Sequence, residues 1–140
     1  MGYELSNSSG AYVRFTGSGW DVAFAVARHY DWEPAGIPKP STWDENKHGP
    51  WENEYWLNAG QRVTAADAAA LTAALDRAVT APDFVETVVQ IKNELNERLA
   101  THNPKWRSDR PQASREQAEG FRARLVEFAA LTRQGSFVIE

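Results

Sequence analysis

The residues best suited to chemistry cluster between positions 29 and 54, where His29, Asp31, Asp44, Glu45, His48, Glu52 and Glu54 offer imidazole nitrogens and carboxylate oxygens. Such groups serve as general acids and bases or as metal ligands. Here they follow no helical metal motif and no Asp/Gly repeat of a calcium loop. Solvated loop charge is the plain alternative, and no catalytic residue, metal or cofactor is assigned. His29, one helical turn from Ala25 and Val26, is expected at the edge of the core.

Three other constellations are weaker. FTGSGW (15–20) reads as a strand running through a glycine-rich turn into a helix, which could present N–H groups to an anion. It lacks the lysine and the length of a phosphate loop, so a tight turn explains it better. Lys105, Trp106, Arg107, Arg110, Arg115, Arg122 and Arg124 interleave cations with an aromatic, as a nucleic-acid adaptor would, but Asp109, Glu116 and Glu119 interrupt them. Nucleic acid is therefore a poor candidate partner. Serines 6, 8, 9, 18 and 41 sit in turn-like sequence without a G-x-S-x-G elbow.

The most informative stretch is WDENKHGPWENEYW (43–56), with three tryptophans and a tyrosine among five charged side chains and a Gly-Pro break. One reading is a lid whose rings fold inward over a thin core. The other is a recognition surface in which Trp43, Trp51 and Trp56 are anchors and Asp44, Glu45, His48, Glu52 and Glu54 form the polar rim, the composition protein interfaces favour. A third possibility makes the same loop the wall of a pocket, with His48 or a carboxylate at its base, in a small enzyme or ligand receptor.

Composition bounds these choices. A chain of 140 residues is the size of one domain, and 42% hydrophobic with 24% charged residues is an ordinary globular balance. Without cysteine there are no disulfides, thiolate metal sites or cysteine nucleophiles. The start, MGYELSNSSG, has neither a basic region nor an apolar run, and no later segment approaches the ~20 apolar residues that span a bilayer. A cytoplasmic protein with no membrane partner is expected. Met1-Gly2 with Ser6 fits the short myristoylation pattern, which is discounted because Tyr3 and Leu5 read equally well as the start of a strand. Net charge is −4 overall; residues 1–60 carry eight acids against four basic side chains, and residues 61–140 carry eleven of each. An acidic, aromatic first part would steer a basic partner.

Around the loop, regular elements are legible. AYVRFT (11–16) is rich in β-formers, and WDVAFAVARHY (20–30) places Trp20, Phe24 and Ala27 at helical spacing with Ser18 as N-cap. Pro34, Pro38, Pro40 and Pro50 keep 31–60 irregular, apart from a short hairpin expected in 54–63 around Asn58-Ala59-Gly60. Thr64 to Asp67 resembles a capping box opening an alanine-rich helix with Leu71, Leu75 and Val79 as its stripe. Phe84, Val88, Ile91, Leu95 and Leu99 define a second helix of nearly five turns. Ser114 and Gln117 cap a third, with Ala118, Phe121, Leu125 and Phe128 inward and Gly135 as its end. SFVIE (136–140) closes the chain as a strand expected to pair with AYVRFT. The sum is a single α+β domain (1–140): a small antiparallel sheet formed with both termini, packed on three or four helices, and a Trp/Pro-rich loop over 31–60.

The blocks LSN (5–7), RFT (14–16), GW (19–20), YDW (30–32), NAGQRVTAADAAAL (58–71) and EFAALTRQGSFVI (127–139) resemble a group of small bacterial proteins without an established activity. In size and make-up that group is similar to immunity proteins that neutralise a toxin. The resemblance implies a protein-binding role with a toxin as partner. It transfers no catalytic residue.

Overall fold

Alternating side chains build the sheet. In a computed structural model describing residues 2–39, 41–51, 55, 60–103 and 112–140, β1 (Gly2–Ser6) and β2 (Tyr12–Thr16) pair antiparallel with Tyr3 opposite Phe15 and Leu5 opposite Val13. Leu5, Val13 and Phe15 are buried, while Glu4, Tyr12 and Arg14 face solvent, the period of two expected of a sheet covered on one side. β3 (Gln61–Val63) and β4 (Phe137–Ile139) complete the order β2-β1-β4-β3, all antiparallel. Both chain ends thus lie in the two central strands.

The closing strand does not pair with AYVRFT, as the sequence suggests; β1 lies between them, with Leu5 opposite Ile139. A short turn ties β1 to β2, so β2 takes the edge and leaves the inner edge of β1 for β4. Gln61–Val63 pairs with β4; of the opposite arm of the hairpin expected in 54–63, only Tyr55 is described. Asn58 and Ala59, where that hairpin would turn, lie outside the described residues.

α1 (Gly17–His29) follows β2 without an intervening turn. Thr16, not Ser18, is its N-cap: the extended Thr16 backbone lets its hydroxyl accept from the Gly19 N–H at 3.0 Å. A β-carbon on Gly19 would lie 2.9 Å from that hydroxyl oxygen, so Gly19, read as part of a turn, instead makes room for the cap. At the other end, Asp31 N–H bonds Arg28 O and Trp32 N–H bonds Ala27 O, a Schellman closure with Asp31 at φ +74°. It throws Trp32 back onto the core, 2% exposed, with its ring edge-on to Phe24 at 5.3 Å.

α3 (Ala65–Thr80), α4 (Phe84–His102) and α5 (Arg115–Arg133) match the expected helices, and the only helix besides these and α1 among the described residues is one turn, α2 (Glu45–His48). Ala68, Ala74 and Ala78 are fully buried and let α3 approach α5 closely enough for the Thr72 and Thr132 hydroxyls to bond at 2.7 Å. Ser114 and Gln117 form the capping box, and Gly135, at φ +113°, ends α5. Phe15, Trp20, Phe128 and Phe137 meet between sheet and helices, centroids 5.4 to 6.0 Å apart. The stripe of α4 is buried only through Phe84, Val88 and Ile91; Leu99 is 36% exposed. The start of α5 is tied to mid-α4 (Ala113 N–H to Asn93 Oδ1, 2.9 Å), so α5 covers the first turns of α4 and not the last.

Asp31 is the only non-glycine residue with positive φ among the described residues. Asp31→Gly is expected to raise the unfolding free energy by roughly 0.5–1 kcal/mol, because an L side chain is strained in that region. Urea denaturation measures it, and a lowered midpoint would contradict the strain.

Candidate functional site

Two groups of aromatics divide the loop. Trp32 and Tyr55 are buried and stack at 6.0 Å with planes 15° apart, extending the core outward from Phe24. Trp43 and Trp51 are half-buried and meet edge-on at 4.8 Å. Each indole N–H is held by the loop itself: Trp43 donates to Gly49 O and Trp51 to Ile37 O, both at 2.9 Å. The exposed His48 ring lies 4.7 Å from Trp43. The loop thus places some of its rings in the core, as a lid would, and leaves others partly at the surface.

One turn of helix organises the outer group. Asp44 Oδ1 accepts from Asn46 N–H at 2.9 Å, capping α2. Lys47, His48 and Gly49 then turn their amides back to Asp44 and Glu45 carbonyls, and Gly49, at φ +77°, ends the turn. Glu45 is exposed and paired with Lys39 at 2.7 Å. Of the expected site residues, Trp43, Asp44, Glu45, His48 and Trp51 thus share one small substructure. Glu52, Glu54 and Trp56 lie outside the described residues.

The attachment of this loop to the body falls on a residue the sequence reading assigned to a helix cap. Thr64 does cap α3, accepting from Asp67 N–H at 3.1 Å. The Asp67 carboxylate, 4% exposed, faces the loop instead: Oδ1 accepts from Ala35 N–H at 2.9 Å, and Oδ2 from Gly36 N–H at 3.0 Å and Tyr55 O–H at 2.6 Å. Trp32 Nε1 donates to the Asp67 carbonyl at 3.1 Å. Three donors, and a place in the first turn of a helix whose N-terminus favours negative charge, compensate the buried carboxylate. The Tyr55 phenol is pushed well above its usual range, first by burial and then by the Asp67 hydrogen bond and charge, so it stays a donor. A signal was available: Asp67 lies four and eight residues before Leu71 and Leu75, an acid on an apolar stripe.

The other expectations fare unevenly. His29 is exposed, not at the core edge, and its ring lies 5.0 Å from that of Tyr30. Among the described residues no three His, Asp or Glu side chains converge as a metal site. An open groove of about 600 Å³ runs along α4 beside Gln112 and Arg115, lined by Glu86, Gln90, Asn93 and Glu94, with no loop residue in its wall. The described arginines of the basic stretch are engaged structurally. Arg115 pairs with Glu86 at 2.7 Å; Arg122 pairs with Glu119, donates to Val79 O and covers the Phe84 ring; Arg124 pairs with Glu127, donates to Arg14 O and covers Phe15. Lys105, Trp106, Arg107 and Arg110 lie outside the described residues. No helix among the described residues is long and apolar enough to cross a membrane. No protein-family model, curated protein or solved structure matches the chain.

Away from the loop, burial raises the proton affinity of Asp21, and burial and then the Asp21 charge raise that of Tyr3. A carboxyl whose folded pKa exceeds its unfolded one binds more protons when folded, so its contribution is most favourable below the unfolded value and declines as pH rises through the folded value. At neutral pH the ionised Asp21 is a residual cost. Asp21→Asn is expected to raise the urea midpoint at pH 7, with the gain shrinking toward pH values below about 4, the ordinary aspartate range. A lower midpoint at pH 7 would show instead that the charge is favourably met.

Proposed function

We propose that this protein is a protein-binding module acting through its aromatic loop, with Trp43 and Trp51 as anchors and Asp44, Glu45 and His48 around them. The observation that carries this reading is the pair of half-buried indoles, each already hydrogen-bonded to a loop carbonyl and locked edge-on to the other. Rings held in place lose little freedom when a partner covers them, and interface energy concentrates in such anchors. Their polar atoms are satisfied beforehand, so docking strands no buried donor.

The partner class follows from charge. Across 31–51 the described acids Asp31, Glu33, Asp44 and Glu45 outnumber Lys39 and Lys47, which favours a basic surface. An immunity-type inhibitor in the cytoplasm, occluding a basic toxin domain, is the specific form this takes when joined to the resemblance described above. Glu52, Glu54 and Trp56, from the same stretch of sequence, are included in the proposed surface.

The test is calorimetric titration of the partner recovered from the host against wild type and a Trp43→Ala, Asp44→Asn, Trp51→Ala variant. A loss of at least about 30-fold in affinity is expected, the size of one hot spot of ~2 kcal/mol. The replaced residues contribute nothing to the main core, so the variant should keep the wild-type circular dichroism spectrum. Full affinity in a folded variant would remove the loop from the interface.

A further inference from the structure

The loop residues 33–39 and 41–51 are built as a strap with, among the described residues, one fastening. Among the described residues, two hydrogen bonds run from them to the helices and sheet, Ala35 N–H and Gly36 N–H, and both end on the Asp67 carboxylate. Every other described hydrogen bond of the strap is internal: Lys39 to Glu45, Trp43 to Gly49, Trp51 to Ile37, and the turn of α2. Of the strap's apolar side chains, Ile37 packs partly against the core. On the inner side of the fastening, Trp32 and Tyr55 are sealed into the body and each donates to Asp67, one to its carbonyl and the other to its carboxylate.

We propose that Asp67 is a latch, and that the strap carrying Trp43 and Trp51 opens and closes as a unit while the sheet and the long helices stay folded. A carboxylate suits the task. Its two oxygens offer about four lone-pair sites to three donors, where an amide offers one oxygen and presents a competing N–H₂ group to donors. Opening leaves the strap's own bonds intact, so it moves as a preformed piece. Gly36 sits at the fastening with φ +81°, a backbone region that glycine occupies without strain. Regions held by few contacts occupy the low end of the local-stability range, as moving elements must. The latch stands on its own geometry and does not depend on which partner the loop engages.

Hydrogen exchange of the full-length protein tests it, comparing wild type with Asp67→Asn and Tyr55→Phe. The protected reporters in the strap are the Ala35, Gly36, Asn46, Lys47, His48 and Gly49 amides. In Asp67→Asn the Ala35 and Gly36 amides should exchange at least tenfold faster, while those of α1 and α5 keep wild-type rates. Tyr55→Phe, which removes one donor but keeps the ring, should produce a smaller change of the same pattern and carries the test if Asp67→Asn fails to fold. The α2 amides should be the least affected of the strap reporters, because their bonds travel with it. Unchanged Ala35 and Gly36 exchange in the variants, or equal acceleration in strap and core, would overturn the latch.

Discussion

A charge taken out of water has to be met, and that demand at Asp67 organises the irregular loop of this molecule. Three donors from two separate stretches of an otherwise irregular loop converge on one carboxylate at the first turn of α3. Removing one partner of such a buried group costs more than the bond is worth, because the remaining groups are left unmet. The prolines of 31–50 forbid a long element, so the loop cannot satisfy its backbone by regular pairing. It does so through a side chain supplied by the helix beneath it.

That arrangement separates the aromatics by role. Trp32 and Tyr55 complete the core above Phe24, whereas Trp43 and Trp51 satisfy their own N–H groups within the loop and keep part of their rings outward. Core rings are positioned by packing with the whole fold. The outer pair is positioned by a one-turn helix and two carbonyls, and its place relative to the body depends on the fastening. Rigidity of the shelf and mobility of the strap are compatible because they concern different contacts.

Much of the fold was legible where apolar residues recur with a helical period and a capping residue marks the start: Thr64 and Ser114 open α3 and α5 as their sequences indicate. Strand partners were less so. GYELS carries too few β-formers to announce itself as a central strand, and whether SFVIE meets β1 or β2 depends on long-range packing that no local pattern encodes. The two glycines before Trp20 looked like a turn because a helix seldom opens with them; the Thr16 cap that uses Gly19 is a local contact three residues long, hidden because Ser18 offered a second capping hydroxyl nearer the apolar run. In the loop, composition pointed to the aromatic cluster but could not separate Trp32 from Trp43, since an irregular segment has no period from which to read a buried face. Asp67 was visible as an acid on the α3 stripe, yet its capping position offered a sufficient local explanation. Its partners lie 12 and about 30 residues away in sequence.

The central claim is that Trp43 and Trp51 are held as a preformed rigid shelf at the surface of the protein. Nitrogen-15 relaxation of the indole Nε1 groups addresses it directly, because each tryptophan gives its own signal and the picosecond-to-nanosecond motion of the ring is read out at the hydrogen-bonded atom. Order parameters for Trp43 and Trp51 near about 0.85, matching the sealed Trp32, are the predicted result. Values below about 0.6 at either indole, with Trp32 still rigid, would contradict it.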